Sequence, residues 1–276
     1  MIPGCPIFVY QMGRVASTAI VRSLEARGVP AHHGHFLHPQ WHQSKRVDRF
    51  NDVEEAVETA HKSWLRYYLS DQGAAELFRF ISPFREPVGW LVSEHYQSKQ
   101  RPVGSHEIDG QLDVNQFRRE LDIMCRRAML YKDVSTDVLL EKSMQGNHDE
   151  MIDAVLPRIP VEWFDRELNP YAGIDVYAEP FGQGREYQMY RNALVIKQET
   201  LGQSAIQAIG RFAQISDFEL IRTNEGSTGQ FGGSYQAAVK ACKFPTEFLD
   251  MQYGSNYVRH FYSDPEIETF YRKWEA

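Results

Sequence analysis

Short apolar runs alternate with amphipathic segments along this chain of 276 residues. The runs at 6–10, 77–82 and 193–197 are rich in β-branched and aromatic residues, which is typical of buried strands. Longer segments between them carry apolar residues at three- and four-residue spacing, which predicts helices with one apolar face. Strands that alternate with helices in this way indicate an α/β fold, in which helices cover both faces of a parallel sheet.

The same patterns assign the remaining elements. Further strands are predicted at 29–37 and 173–177, and helices at 17–27, 52–67, 88–100, 113–131 and 199–212, with most of 232–274 also helical. In the helix that begins at Asp52, Trp64 and Tyr67 fall on the apolar face. No internal repeat or Gly/Ser-rich linker interrupts the chain, so we expect a single domain over residues 1–276.

Composition and charge argue against several classes of protein. Apolar residues make up 42% of the chain, which is enough for a core and excludes wholesale disorder. With 30 basic and 37 acidic residues, the formal net charge of −7 argues against general affinity for nucleic acid or anionic lipid. No stretch approaches the roughly 18 apolar residues of a membrane helix. The chain start does not resemble a secretory signal and the three cysteines are dispersed, so we expect a soluble, cytoplasmic protein.

The first predicted strand runs into a short polar loop and then a helix, an arrangement that forms anion sites. Backbone N–H groups at the helix start and the helix dipole both favour a negative ligand there. Gly13 relaxes the turn, and the small side chain of Ala16 lets a ligand approach closely. Arg14 supplies a cationic fork, and Ser17 and Thr18 supply hydroxyl donors. The same residues also suit an ordinary strand–turn–helix with a serine cap.

Known phosphate-binding signatures separate some of the alternatives. Neither G-x-x-x-x-G-K-[ST] nor G-x-G-x-x-G occurs in the chain, which argues against P-loop kinases and dinucleotide-dependent dehydrogenases. Instead, Arg14-Val15-Ala16-Ser17-Thr18 resembles the 5′-phosphosulfate loop of the sulfotransferases that use 3′-phosphoadenosine 5′-phosphosulfate (PAPS). Many members of that superfamily have lysine where this chain has Arg14, and several carbohydrate-specific members have arginine.

A second segment extends the resemblance. Sulfotransferases bind the 3′-phosphate of the cofactor with Arg-x-Pro and a serine eight residues after the arginine, and Arg85, Pro87 and Ser93 reproduce that spacing. A loop arginine and a helical serine are commonplace by themselves, but the two motifs stand in the family's order, each after a predicted strand. The resemblance implies a P-loop-NTPase-like sulfotransferase fold with a helical C-terminal part.

The resemblance also implies a cofactor and a role for each matching residue. The cofactor is PAPS, its product is adenosine 3′,5′-bisphosphate (PAP), and no metal is needed. The 5′-phosphosulfate would be held by Gly13, Arg14, Val15, Ala16, Ser17 and Thr18, and the 3′-phosphate by Arg85 and Ser93. Arg14 would in addition act in catalysis, because it stabilises charge on the leaving 5′-phosphate.

A histidine cluster, His32 to His38, lies between the two motifs. The residues alone leave three interpretations open: a general base, a zinc site, or a solvated strand end. The chain lacks H-E-x-x-H and C-x-x-C, which weakens the zinc interpretation. His33-Gly34-His35 resembles a stretch of the glycan uronosyl 2-O-sulfotransferases, which implies that His35 is the catalytic base and that His33 lies at the acceptor substrate.

The spacing after this cluster departs from those relatives. About fifty residues separate His35 from Arg85, more than the relatives have. We therefore interpret residues 39–72 as an insertion. His61 lies within it and is a reserve candidate for the base.

Two later segments, 173–177 and 257–263, resemble bacterial capsular polysaccharide synthesis proteins, a family that shares the sulfotransferase N-terminal motifs. We favour helix packing as the role of 257–263, because it is rich in aromatic residues. The polar loop 224–230 suits either a cover over the adenosine of a cofactor or a plain surface turn.

The residues and the resemblance together predict a sulfotransferase that moves a sulfuryl group from PAPS to a hydroxyl of an acceptor, expected to be a carbohydrate or glycan. Two alternatives stay open. One is a non-catalytic nucleotide- or glycan-binding protein of the same fold, and the other is a histidine-ligated metallohydrolase.

Overall fold

The computed structural model describes residues 6–44, 52–70, 74–99, 107–108, 111–221 and 232–276. The chain forms two compact units: residues 1–85 with 162–223 make up the first, and residues 86–161 with 224–276 make up the second. One sulfotransferase-like domain with an insertion at 39–72 stays a prediction. The loop 224–230 lies outside the described residues. Nowhere in the described ranges is a helix both long and apolar enough to span a membrane.

The elements follow in chain order. The strands are β1 (Ile7–Tyr10), β2 (Ala31–Gly34), β3 (Arg79–Phe84), β4 (Glu107–Ile108), β5 (Gln111–Leu112), β6 (Tyr187–Tyr190) and β7 (Ala193–Lys197). The helices are α1 (Ser17–Ala26), α2 (Pro39–Ser44), α3 (Asp52–Ser70), α4 (Pro87–Lys99), α5 (Val114–Leu130), α6 (Thr136–Met144), α7 (His148–Val155), α8 (Ile159–Trp163), α9 (Asn169–Ala172), α10 (Gln203–Ala213), α11 (Gly232–Ala241), α12 (Thr246–Tyr253), α13 (Asn256–Phe261) and α14 (Asp264–Trp274). A single π-helical turn, Phe164–Leu168, lies between α8 and α9.

The first unit is built on a five-stranded sheet with the order β2-β1-β3-β7-β6. The first four strands are parallel, and β6 pairs antiparallel with β7. The predicted α/β class with a mostly parallel sheet is therefore confirmed, as are the strands expected within 6–10, 29–37 and 193–197. The strand expected at 77–82 is present, but it begins at Arg79 and continues through Pro83 to Phe84. The finer expectation of a P-loop-like sulfotransferase fold stays a prediction.

Alternation along β1 gives the sheet two chemically different faces, because successive side chains point to opposite sides. Ile7 and Val9 belong to an aliphatic core that also takes in residues of α1 and α10. Phe8 and Tyr10 point to the other face, where their rings stack with centroids 5.1 Å apart. Tyr10 also meets Trp163 edge-on at 5.0 Å. Both faces are covered, as a buried parallel sheet requires.

The second unit is mostly helical, and a buried carboxylate organises its centre. Glu86 stands before α4 and accepts hydrogen bonds from the backbone N–H groups of Val88 (2.8 Å) and Gly89 (2.7 Å), which lie in the first helical turn. The indole Nε1–H of Trp274, in α14, donates to the same carboxylate at 2.8 Å. The charge thus caps one helix and fixes the C-terminal helix of the unit.

Some local predictions are wrong. Residues 173–177 do not form a strand: Gly173 ends α9 at φ +66°, and a 3-10 turn follows at Val176–Ala178. The apolar residues there are buried without pairing in the sheet. The helix expected from 199 begins only at Gln203. In α3, Trp64 and Tyr67 are 54% and 60% exposed, so this part of the apolar face is not buried.

A second buried carboxylate, Glu167 of the π-helical turn, ties the sheet to the segment after β2. Its side chain accepts a hydrogen bond from the hydroxyl of Tyr10 and from the backbone N–H groups of Leu37 (2.8 Å) and His38 (3.2 Å). Glu167 is fully buried, and burial raises the pKa of its carboxyl to about 7. Tyr10, buried beside this carboxylate, has a pKa raised well above its ordinary value by burial and by Glu167.

Glu167 should make the stability of the protein depend on pH. Its pKa is raised from 4.5 to about 7 on folding, so the native state binds the proton more tightly than the unfolded chain. The stabilisation is complete below the unfolded pKa and is lost as pH rises through 7. From pH 5 to pH 9 we expect the free energy of unfolding to fall by roughly 2–3 kcal/mol from this group. Urea denaturation of Glu167→Gln should lack this contribution.

Tyr10→Phe provides the control. The hydrogen bond from Tyr10 lowers the pKa of Glu167, so its removal should move the fall in stability to higher pH. If the free energy of unfolding depended on pH in the same way in the wild type and in Glu167→Gln, a group other than Glu167 would cause the dependence.

Candidate functional site

The carboxyl ends of the parallel strands in the first unit bring several of the predicted site residues to one edge. β1 connects through α1 to β2 on one side, whereas its other neighbour, β3, leads on to β6 and β7 on the opposite side, so the connections diverge between β1 and β3. Ligands of open α/β sheets bind at such a switch point, outside the carboxyl ends of the strands. The loop 11–16 follows β1, His35 follows β2, and Arg85 follows β3.

The backbone of the loop after β1 is left-handed at three positions. Gly13 has φ +93°, Arg14 has φ +59° and Ala16 has φ +60°. Alternation of left- and right-handed residues forms concavities of N–H groups that bind anions. Among the described residues, no side chain caps the N-terminus of α1, which begins at Ser17. This edge of the sheet therefore has the backbone of an anion site, built partly from conformations that are costly outside glycine.

The side chains of the loop divide between the core and the edge. Val15 is fully buried, so it can offer a ligand only its backbone. Arg14 and Thr18 are half-buried, and Ser17 is buried with its hydroxyl 2.8 Å from Nε2 of His33. The guanidinium of Arg85 donates through Nη1 to the backbone oxygen of Arg14, at 3.4 Å. The first unit thus brings Arg14 and Arg85 together at the loop.

Gln11, which sequence reasoning missed, joins the loop to the histidines. It is fully buried, and its Oε1 accepts a hydrogen bond from the backbone N–H of Gly13. Its Nε2 lies 3.0 Å from Nε2 of His33 and 2.6 Å from Nδ1 of His35. Because a backbone N–H can only donate, the amide oxygen must face Gly13 and the amide N–H groups must face the two rings.

This orientation determines where the histidines carry their protons. An imidazole nitrogen that accepts a hydrogen bond has a lone pair, so Nε2 of His33 and Nδ1 of His35 are both unprotonated. In its neutral form His35 therefore carries its proton on Nε2. The two rings are 4.5 Å apart, and partial burial lowers the pKa of His33, which favours its neutral form.

The backbone holds His35 firmly in place. The indole Nε1–H of Trp163 donates to the backbone oxygen of His35 at 3.0 Å. Glu167 binds the residues that follow, as described above. A Cβ added to Gly13 would lie 3.9 Å from Nδ1 of His35, so the imidazole lies directly beside the loop.

Lys197 is a further residue that sequence reasoning missed. It ends β7 in register with Phe84, and it is buried at the same edge of the sheet as Arg85. Its ammonium lies 5.7 Å from the ring centre of Phe181. A lysine at the end of the apolar run 193–196 was the available signal, since a buried cation is rare without a functional or electrostatic reason.

Two predicted residues are carried by other elements. Ser93 is half-buried on α4, in the second unit, and its expected pairing with Arg85 on a 3′-phosphate stays a prediction. His61 is exposed on α3, within the first unit. Across the ranges that the structure describes, no group of three or more His, Cys, Asp or Glu side chains is placed to hold a metal ion.

Comparison with known families finds a match in the C-terminal half of the chain. Residues 135–263 match the family model described as "Putative capsular polysaccharide synthesis protein". The match covers just under half of the chain, and it includes 173–177 and 257–263, the two segments for which the resemblance was noted. It does not extend to the loop after β1 or to the histidine pair. No curated protein and no solved structure matches the chain.

The aromatic segment 257–263 has a packing role, as favoured from the sequence. Tyr257, Val258 and Phe261 of α13 are buried in the second unit. Ser263 then begins α14 through a capping box with Glu266. The matched region therefore includes part of the helical core of that unit.

The strain at Ala16 can be measured. A non-glycine residue at φ +60° is less favourable than glycine, although glycine gives the unfolded chain more freedom. On balance we expect Ala16→Gly to raise the free energy of unfolding by about 0.5–1 kcal/mol. The control is Ala237→Gly in the middle of α11, which should lower it by about 1 kcal/mol. Equal losses in both variants would contradict the left-handed conformation at residue 16.

Proposed function

We propose that the protein is a PAPS-dependent sulfotransferase that moves a sulfuryl group to a hydroxyl of a carbohydrate or glycan. The observation that carries the proposal is the loop 13–16, whose left-handed backbone leads into an uncapped helix beside Arg14, Arg85 and a histidine pair. The match to a capsular polysaccharide synthesis family is consistent with a glycan-related role.

Sulfuryl transfer needs positioning and charge neutralisation more than covalent chemistry, as phosphoryl transfer does. The acceptor oxygen forms a bond to sulfur while the bond from sulfur to the bridging oxygen breaks, and PAP leaves. Arg14 and the loop N–H groups would stabilise the negative charge that develops on the leaving phosphate. Lys197 would add positive potential at the same edge.

His35 would take the proton of the acceptor hydroxyl, and His33 would lie beside it. A neutral imidazole suits this role because its pKa lies near the operating pH. The base needs a lone pair on a ring nitrogen that reaches the acceptor. Arg85 and Ser93 would bind the 3′-phosphate, which distinguishes PAP from ordinary adenine nucleotides.

The contacts of Gln11 favour a second candidate, a non-catalytic nucleotide-binding protein of the same fold. In the arrangement described above, the lone pair of His35 faces Gln11 and its proton lies on Nε2. A protein that always kept this arrangement would bind PAP and transfer nothing. Binding without transfer to any acceptor in a broad panel would identify this candidate.

A thermal-shift series tests the nucleotide. We expect PAP to raise the melting temperature much more than 5′-AMP, ATP or NAD, because the proposed function requires recognition of both a 5′-phosphate and a 3′-phosphate. At about 100 times its dissociation constant, PAP should add roughly 2.7 kcal/mol of stability. The matched variant is Arg85→Ala, which should weaken PAP binding by about 1.5–3 kcal/mol. Arg211→Ala, exposed on α10, should bind PAP normally.

Equal stabilisation by PAP and 5′-AMP would mean that no 3′-phosphate is recognised. Normal PAP affinity in Arg85→Ala would make the motif match accidental.

Transfer from labelled PAPS to a panel of hydroxylated glycans tests the base. His35→Ala should lose about 10²–10⁴-fold in turnover, because general base catalysis contributes on that scale, while its affinity for PAP stays near that of the wild type. His61→Ala, exposed on α3, serves as the matched control and should be nearly silent. If His61 proves essential and His35 dispensable, the assignment of the base is wrong.

A further inference from the structure

Gln11 connects the anion loop to the histidine pair through a single planar group. One side of the amide accepts the N–H of Gly13, and the other side donates toward His33 and His35. A half-turn about the last side-chain bond exchanges the amide oxygen and nitrogen. The hydrogen bond of Gln11 to the loop and its hydrogen bonds to the two histidines therefore reverse together.

An anion in the loop competes with Gln11 for the N–H of Gly13. That N–H has one hydrogen, and a sulfate or phosphate oxygen is a stronger acceptor than an amide oxygen because it carries charge. The amide oxygen of Gln11 would also face the anion with like partial charge. Both effects favour the rotated amide, which donates its N–H groups to the anion and presents its oxygen to the rings.

Rotation changes the tautomer that His35 must adopt. With Oε1 of Gln11 facing it, Nδ1 of His35 has to carry a proton and donate it, and Nε2 of the neutral ring then has the lone pair. The proton count is unchanged: Nε2 releases one proton to water, and Nδ1 takes one from water. His33 changes in the same way: its Nε2 takes a proton from water while its Nδ1 releases one to water, and the hydroxyl of Ser17, 2.8 Å away, can then accept from Nε2 where it donated before.

We propose that Gln11 is a positioning residue that gives His35 the tautomer of a base only when an anion occupies the loop. The proposal rests on the proposed function and deepens it, because the donor then prepares its own base. With the loop empty, Nε2 of His35 carries a proton and cannot accept one from an acceptor hydroxyl. With the loop filled, the same nitrogen can.

Because the backbones of Gln11 and His35 are both held by hydrogen bonds, rotation of the Gln11 amide is the simplest response to an anion in the loop. Its backbone N–H donates to Gly34 at 3.1 Å, which extends the pairing of β1 with β2. Trp163 holds the backbone of His35 at 3.0 Å. The side chain of Gln11 is fully buried, so a displaced amide has to pair again inside the protein.

Nitrogen NMR of the ¹⁵N-histidine-labelled protein reads the tautomer directly. The measurement is made at pH about 8.5, where an imidazole with an ordinary pKa is neutral, without sulfate and with saturating sodium sulfate. We expect His35 to show an unprotonated Nδ1 without sulfate and an unprotonated Nε2 with sulfate. Sulfate serves as the probe because it stays fully ionised and needs no nucleotide site.

Three variants separate the amide from its surroundings. Gln11→Met keeps the length of the side chain but removes the amide, so sulfate should no longer change the tautomer of His35. Gln11→Glu presents an acceptor oxygen at all times, so Nδ1 should be protonated with or without sulfate. Gln188→Met is the matched control: this buried glutamine bonds Gly182 (3.0 Å) and Pro180 (3.1 Å), so its loss should leave the sulfate-dependent change intact.

The proposal is overturned if His35 carries its proton on Nδ1 before sulfate is added, or if sulfate fails to bind or to change the tautomer. A full response in Gln11→Met would also overturn it. The wild-type spectra decide the question even if a variant does not fold. Failure of the proposed function gives a different result: the tautomer would still respond to sulfate, while PAP would stabilise the protein no more than 5′-AMP does.

Discussion

The hydrogen bonds of Glu167 determine where the candidate site lies relative to the sheet. This carboxylate binds the last residue of β1, Tyr10, and the backbone of Leu37 and His38, which follow β2. Two segments that diverge after neighbouring parallel strands are thereby held at one side chain. The loop begins at the residue after Tyr10 and His35 precedes Leu37 by two residues, so the separation of anion loop and imidazole depends on this contact. Burial of a carboxylate is unfavourable, and the raised pKa of Glu167 records that cost.

The carboxyl edge of the first unit concentrates polar groups that ordinary cores exclude. Gln11 and Lys197 are fully buried there, and Arg14 and Ala16 hold left-handed backbone beside them. Each of these features reduces stability unless the surroundings compensate it. Natural folds depart from local rules mainly at functional sites. The aliphatic face formed by α1 and α10 supplies apolar burial that offsets the cost of this polar edge.

Much of the fold was predictable because its signals are local. The runs at 6–10 and 193–197 are apolar over one strand length, and the helix at 113–131 repeats its apolar residues at helical spacing. Gly13 and Arg14 were predictable for the same reason, because a strand, a turn and a helix follow one another directly. The prediction of a strand at 173–177 is wrong because Ile174 and Val176, two residues apart, are both buried, and this alternation is also the pattern of a strand.

The roles of Gln11 and Glu167 could not be predicted, since they depend on partners that only the folded sheet brings together. Glu167 and Tyr10 are 157 residues apart in the chain, and His35 is 24 residues from Gln11. A glutamine after a strand and a glutamate on a helical turn are unremarkable in sequence. Burial and tautomer are properties of the assembled edge, so the control of His35 has no sequence signature of its own.

The glycine between the two histidines is explained by packing instead of chemistry. A Cβ at Gly34 would lie 2.6 Å from Cζ of Phe8, whose ring covers that position from the neighbouring strand. Any larger residue would push the ring aside and disturb the aromatic layer that Tyr10 shares. We therefore expect residues 8 and 34 to covary: relatives with an aromatic ring at position 8 should keep glycine at position 34, and a smaller residue at position 8 would allow a larger one at position 34. Such covariation in an alignment would show that packing within the sheet, and not chemistry at the site, determines the spacing of the two imidazoles.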